Sequence, residues 1–154
     1  MSFDLKAAIV KYLSGKSLLT NLLANFSGST TKAISPDILG QGQARPYIVC
    51  KVDGEIPKTF ISGVIAMTDA PVAIQIYADS SATRQAIKNA LYNILAGRTN
   101  DTLTDGTNSV TFESWMTHYV EKPFLNAPDG TETGVYTGIA LFKFSYNQAV
   151  PTLP

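Results

Sequence analysis

The stretch PVAIQIYADSSATRQAIKNALYNIL, residues Pro71 to Leu95, changes period in its middle. Val72, Ile74, Ile76 and Ala78 alternate with their neighbours, as in a strand with one buried face. From about Ser81 to Ala96 the repeat lengthens. Thr83, Ala86, Ile87, Ala90, Leu91, Ile94 and Leu95 form one stripe, and Arg84, Gln85, Lys88 and Asn89 face away from it, the pattern of a helix lying on a sheet. The joint ADSS raises the question of a site, because polar strand-to-helix turns often hold phosphate. A phosphate cradle needs glycines that let backbone N–H groups approach the anion, and none lies between Asp79 and Ala96. Asp79 would also repel an anion. The joint therefore reads as a helix cap by Asp79, Ser80 or Ser81, with Gly97 ending the helix.

Toward the N-terminus, FDLKAAIVKYLSG sets Leu5, Ala8, Ile9, Tyr12 and Leu13 on one helical face, with Asp4 as N-cap and Gly15 as stop. SLLTNLLANF predicts a second short helix through Leu18, Leu19, Leu22, Leu23 and Phe26. Residues 27–45 read as a long polar loop. PYIVCKVDG and KTFISGVIAM read as strands, rich in β-branched and aromatic residues between Gly and Pro.

Toward the C-terminus, RTNDTLTDGTN reads as a polar loop with a turn at Asp105-Gly106. SVTFESWMTHYVEKPF and TGVYTGIALFKFSYNQ read as two long strands joined through APDGTE, whose Asp-Gly favours a hairpin. In the last strand Tyr136, Ala140, Phe142, Phe144 and Tyr146 share one face, with Val135, Ile139 and Leu141 on the other. Its partner sets Phe112, Met116 and Val120 against Trp115 and Tyr119. A sheet covered on one side alternates apolar with polar. Large apolar residues on both sides call for a second cover, and the few helices cannot supply it, so another subunit is expected there. The fold expected is one α+β domain over residues 1–154: a mostly antiparallel sheet with one long helix packed on a face, short N-terminal helices, and a short C-terminal tail at 148–154.

The chain of 154 residues is long enough to bury about two-thirds of its unfolded surface. Lys+Arg and Asp+Glu balance at 12 each, so no charge excess advertises a nucleic-acid or membrane surface. MSFDLKAAIVKYL lacks the pattern of a signal peptide, and no apolar run is long enough to span a bilayer. One cysteine excludes an internal disulfide framework and a multi-cysteine zinc site, and suits a reducing cytoplasm. Cys50 lies in the middle of YIVCKV, the place of a small buried hydrophobe rather than a nucleophile. His118 is the sole histidine, sits in a strand pattern, and has no GxSxG elbow to serve. Asp101 with Asp105, and Asp129 with Glu132, read as solvated turn carboxylates. NDTLTDGTN lacks the ligand spacing and closing Glu of an EF-hand. Neither a catalytic constellation nor a cofactor or metal motif is expected.

The arrangement resembles the tail-terminator (tail-completion, or tail-to-head joining) proteins of long-tailed bacteriophages. The resemblance lies in the helix ending KYLSG followed by LLTNLL, the strand start RPYIVCKV, the unit VAIQIYADSSATRQAIKNALYNILAG, and the closing EKPFLNAPDGTETGVYTGIALFKFSYN. It implies a structural virion protein, not an enzyme: a ring, hexameric in this family, that caps the finished tail tube and joins the tail to the head. Implied partners are further copies of the chain, the major tail-tube protein, a head-completion or connector protein, and genome DNA passing through the lumen without specific binding. Its place would be the tail or neck of a virion assembled in the host cytoplasm, with no membrane contact. Trp115, Tyr119, Tyr136, Phe142 and Phe144 are the candidates for the subunit interface. Arg98, Asp101, Asp105, Asp129 and Glu132 are candidates for loops meeting partners or the lumen. Alternatives are another neck or baseplate subunit, such as a head-closure (stopper) protein, or a small α+β ligand-binding domain or enzyme.

Overall fold

The computed structural model describes residues 3–26, 28–36, 43–59, 66–121 and 135–148. The elements in chain order are α1 (Leu5–Ser14), α2 (Ser17–Thr20), β1 (Ile34–Ser35), β2 (Tyr47–Val52), β3 (Ile56–Thr59), β4 (Ala66–Ala78), α3 (Ser81–Leu95), β5 (Arg98–Thr104), β6 (Ser109–Glu121) and β7 (Tyr136–Gln148). Six strands run in the order β1-β2-β4-β7-β6-β5, and β3 pairs with β4 beside that path. Every pairing is antiparallel except β1 with β2.

This sheet corrects the expected fold class. About half of the described residues lie in strands and a quarter in helices, and the sheet curls into a half-barrel instead of lying under one long helix. The lengths explain why. β4, β6 and β7 have 13 residues each, about 43 Å of strand. α3 has 15 residues, about 22 Å of helix. A helix half the length of the strands cannot cover their face. The sheet bends instead, and α1 touches β5 at one end of the strand order and β1 and β2 at the other.

The helices are fixed as their caps dictate. Asp4 accepts a hydrogen bond from the Ala7 N–H, and Gly15 closes α1. At the strand-to-helix joint, Ser80 is the cap and accepts from the Thr83 N–H at 3.1 Å. Gly97 follows α3 with φ +68°, a backbone conformation that favours glycine. The second helix is shorter than its apolar repeat predicts. It ends at Thr20, burying Leu19 and leaving Leu18 outside.

Three sequence expectations are corrected in the sheet. The segment expected as a polar loop at 98–108 contains β5, whose Leu103 is buried opposite Val110 of β6. As an edge strand with one wet face it needs only one apolar anchor, so its composition resembles a loop. The turn expected at Asp105-Gly106 is present: Asp105 accepts from the N–H groups of Thr107 and Asn108, and Gly106 has φ +99°. The stretch KTFISGVIAM, expected as one strand, belongs to two, because Thr59 of β3 lies opposite Ala66 of β4; its residues 60–65 lie outside the described residues. The third correction concerns faces. β6 shifts register between Met116 and His118, so one extra residue enters the strand. The bulge moves Tyr119 onto the face of Phe112 and Met116, and Val120 onto the face of Trp115.

One apolar core results, between the concave side of the sheet and the helices. Ile74, Ile76, Phe112, Phe142, Phe144 and Tyr146 of the sheet meet Leu5, Ile9, Leu13, Ile87, Leu91 and Leu95. Phe112 stacks on Phe144 with ring centroids 5.6 Å apart, and Tyr12 of α1 meets Phe112 edge-on at 5.3 Å. The APDGTE joint lies outside the described residues.

Candidate functional site

Alternation along β6 and β7 gives the sheet two unlike faces. Ser114 points toward the helices and donates from its hydroxyl to the Leu95 carbonyl at 2.6 Å. Its neighbour Trp115 therefore points away from them. On this helix-free side Trp115 lies opposite Lys143, Lys143 opposite Pro71, and Glu113 opposite Ser145. Ser145 in turn lies opposite Asp69, and Asp69 opposite Ile56 of β3. Val120, Ile139 and Leu141 continue the same face.

The polar groups here are organised. The Ser145 hydroxyl donates to Asp69 at 2.7 Å, and the Lys143 ammonium stands 3.5 Å from the same carboxylate. Lys143 also lies 5.6 Å from the centre of the Trp115 ring, within cation–π range. A cleft of about 310 Å³ opens beside them, lined by Ile56, Asp69, Pro71, Thr117 and Lys143 among others. At the far end of the face Tyr47 and Tyr77 stack at 4.8 Å, and Tyr77 donates to the Gln75 side chain. The surface is broad, carries aromatic rings and charges of both signs, and is suited to covering by another macromolecule.

The residues expected at an interface separate into three places. Phe142 and Phe144 fill the chain's own core. Tyr119 and Tyr136 sit at the rim on the helix side, around Arg84. The Arg84 guanidinium donates to the Thr137 carbonyl at 3.3 Å, pairs with Glu121 at 3.1 Å, and lies over the Tyr136 ring. Trp115 alone of the five lies on the helix-free face. The bulge separates Tyr119 from it.

The loop candidates are placed as follows. Arg98 donates to the Ile94 carbonyl, and its guanidinium stands 3.9 Å from Asp101. Asp101 accepts from the Tyr12 hydroxyl at 2.7 Å, and that bond with the Thr102 N–H holds its carboxyl below the usual range. Asp105 accepts from the Asn108 N–H of its own turn at 2.7 Å and from the Asp4 N–H at 3.0 Å, which lowers its pKa as well. Both carboxylates thus fasten the β5–β6 hairpin to α1. Asp129 and Glu132 lie outside the described residues.

The residues weighed for chemistry have structural surroundings. Cys50 is fully buried, and burial pushes its thiol up to about 12, which removes the thiolate at neutral pH. His118 is exposed on the helix-free face opposite Leu141. Among the described residues, no group of three His, Cys, Asp or Glu could hold a metal ion, and no helix is long and apolar enough to cross a membrane.

Sequence reasoning did not single out Ile56, Asp69 or Lys143. Asp69 did leave a signal: a carboxylate inside AMTDAPVAIQ is unusual for a strand that pairs on both sides.

No protein-family model matches the chain, and no curated protein matches it in sequence. Among solved structures it is similar to a chain described as part of the virion of a native gene transfer agent (GTA) particle. The identity is 16% with a TM-score of 0.58, and the match covers 94% of this chain and 95% of the other. At that identity the two chains share a fold.

Proposed function

We propose that this protein is a structural subunit of a phage-like virion: a ring that caps the tail tube and joins the tail to the head. The observation that carries the reading is the fold it shares, nearly end to end, with a chain of a gene transfer agent virion. The helix-free face supports it, because a ring subunit must offer surface to a neighbour on each side. In this reading Trp115 lies at the subunit interface. Tyr119 and Tyr136 border it, and Phe142 and Phe144 act from beneath by holding the sheet in shape. The partners are other copies of the chain, the tail-tube protein and a head-side connector.

No catalytic step is part of this role. A chain with 12 cations and 12 carboxylates is suited to letting DNA pass through a lumen, since affinity for DNA comes from Lys and Arg neutralising phosphates. The test is native mass spectrometry and electron microscopy of the purified chain, alone and with tail-tube protein. Closed rings seated on tube ends are expected. A chain that stays monomeric and ignores tube ends defeats the reading.

A further inference from the structure

We propose that the cleft beside Lys143 on the helix-free face is a binding site for a short, uncharged, proline-containing peptide, and that residues 149–154 of the same chain, AVPTLP, are its occupant. The contact forms within one copy and does not depend on ring closure.

The cleft sets the chemistry of what it can take. It holds about 310 Å³, and its walls include Ile56 of β3, Asp69 and Pro71 of β4, Thr117 of β6 and Lys143 of β7. Ile56 is 58% exposed at one side, and Trp115, opposite Lys143 in the register, is 38% exposed at the other. The charges between them are answered within the chain. Asp69, 8% exposed, accepts from the Ser145 hydroxyl at 2.7 Å and lies 3.5 Å from the Lys143 ammonium. Lys143 in turn stands over the Trp115 ring. A charged occupant must break that pair to find a partner, whereas an uncharged apolar one leaves it intact.

Residues 149–154, which follow β7 and lie outside the described residues, have the matching composition. Ala149, Val150, Pro151, Leu153 and Pro154 are apolar, Thr152 is the one polar residue, and no side chain is charged. Pro151 and Pro154 bring no N–H that an apolar cleft would leave unpaired, and their fixed φ lowers the entropy lost on docking. Proline-containing segments dock on aromatic-lined grooves for these reasons. The cleft of about 350 Å³ at the start of α1 offers a poorer match, since Asp4, Lys6 and Glu55 line it.

The segment also has the reach. β7 ends at Gln148, opposite Ala66. Ser145, level with Asp69 and Ile56, lies three residues back along the strand, about 10 Å away. Lys143, level with Trp115, lies five residues back, about 17 Å away. Six extended residues span about 20 Å. A segment doubling back over the helix-free face therefore brings Leu153 to the cleft and Pro154 toward Trp115. Its tether holds it near the cleft at an effective concentration on the order of millimolar, so a weak contact is enough.

Trp115 is the sole tryptophan of the chain, so its fluorescence reports cover at this place. The measurement is acrylamide quenching at a dilution where native mass spectrometry shows single copies. A chain ending at Gln148, and the full chain carrying Leu153→Asp, should each be quenched roughly twofold more readily than the wild type, as when one side of a ring is uncovered. Both variants keep every described residue, and circular dichroism checks that they fold. Synthetic AVPTLP added to the shortened chain should restore the protection saturably, and the same peptide with Leu153→Asp should not. Equal quenching of the three proteins overturns the proposal. Protection present in oligomers and absent from single copies overturns it too, because the cover then comes from another copy; neither result bears on the ring reading.

Discussion

Tyr119 Oη lies 2.6 Å from the position a Cβ on Gly138 would occupy. The tyrosine ring takes the space that a side chain on β7 would otherwise fill, and Gly138 is the one described glycine whose added methyl would collide with a neighbour. The Tyr119 hydroxyl is buried without a hydrogen-bond partner, so its position is set by packing.

Gly138→Ala should therefore destabilise the protein by about 1–3 kcal/mol through overpacking. Tyr119→Phe deletes both the nearest colliding atom and an unsatisfied buried hydroxyl, and should be neutral or mildly stabilising. The double variant should lose less than Gly138→Ala alone. Urea denaturation of the four proteins measures this; strictly additive changes would show that the two residues do not meet.

The bulge at Thr117 decides which residues of the upper β6 face the helices. Thr117→Ala loses one hydroxyl donation to the Leu141 carbonyl and should cost about 1 kcal/mol or less. Inserting one alanine after Thr117 should cost several times more, since a further residue in the strand would turn Tyr119 to the outer face and Val120 inward. Equal thermal midpoints for the two variants would contradict this assignment of faces.

At the joint between β4 and α3, the serine at position 80 is the one that caps. Ser80→Ala should lower stability by about 1 kcal/mol. Ser81→Ala, one residue into the helix and exposed, should change it by less than about 0.5 kcal/mol. The reverse order in thermal denaturation would move the cap to Ser81.

The Tyr12–Asp101 bond ties α1 to β5 and should leave a mark at both ends of the pH scale. Asp101 is held below the usual carboxylate range, chiefly by the Tyr12 hydroxyl. Its contribution is complete above the ordinary value of about 4 and is lost as pH falls through the lower folded value. Tyr12 is pushed up to about 12, first by burial and then by Asp101. That contribution is complete below the ordinary value of about 10 and is lost as pH rises toward 12. Tyr12→Phe should flatten both limbs of a stability–pH curve from urea midpoints. A curve parallel to the wild type would show that the bond contributes nothing.

Residues 71–95 show how much of this was legible. Their change of period gives β4, the Ser80 joint and α3, because burial on one face imposes a period of two on a strand and 3.6 on a helix. The same alternation placed Phe142 and Phe144 together and pointed Trp115 away from Phe112. It failed where a local exception carried no hydrophobic signature. β5 is polar because an edge strand with one buried position needs little apolar surface, and Tyr119 exchanged faces because a bulge is a matter of backbone register.

The candidate site was legible only in outline. An uncovered aromatic face could be inferred from large side chains on both sides of β6 and β7. Its composition could not, since Ile56, Asp69 and Lys143 come together from three strands whose register is set by pairing. The sequence by itself determined the elements with a clear period and their caps, which depend on neighbours within a few residues. Tertiary structure alone decided the curl of the sheet around α1, the face each residue of the upper β6 presents, and the meeting of Ile56, Asp69 and Lys143 on the helix-free face. Those depend on contacts between residues far apart in the chain, and the lengths and register of the strands set them.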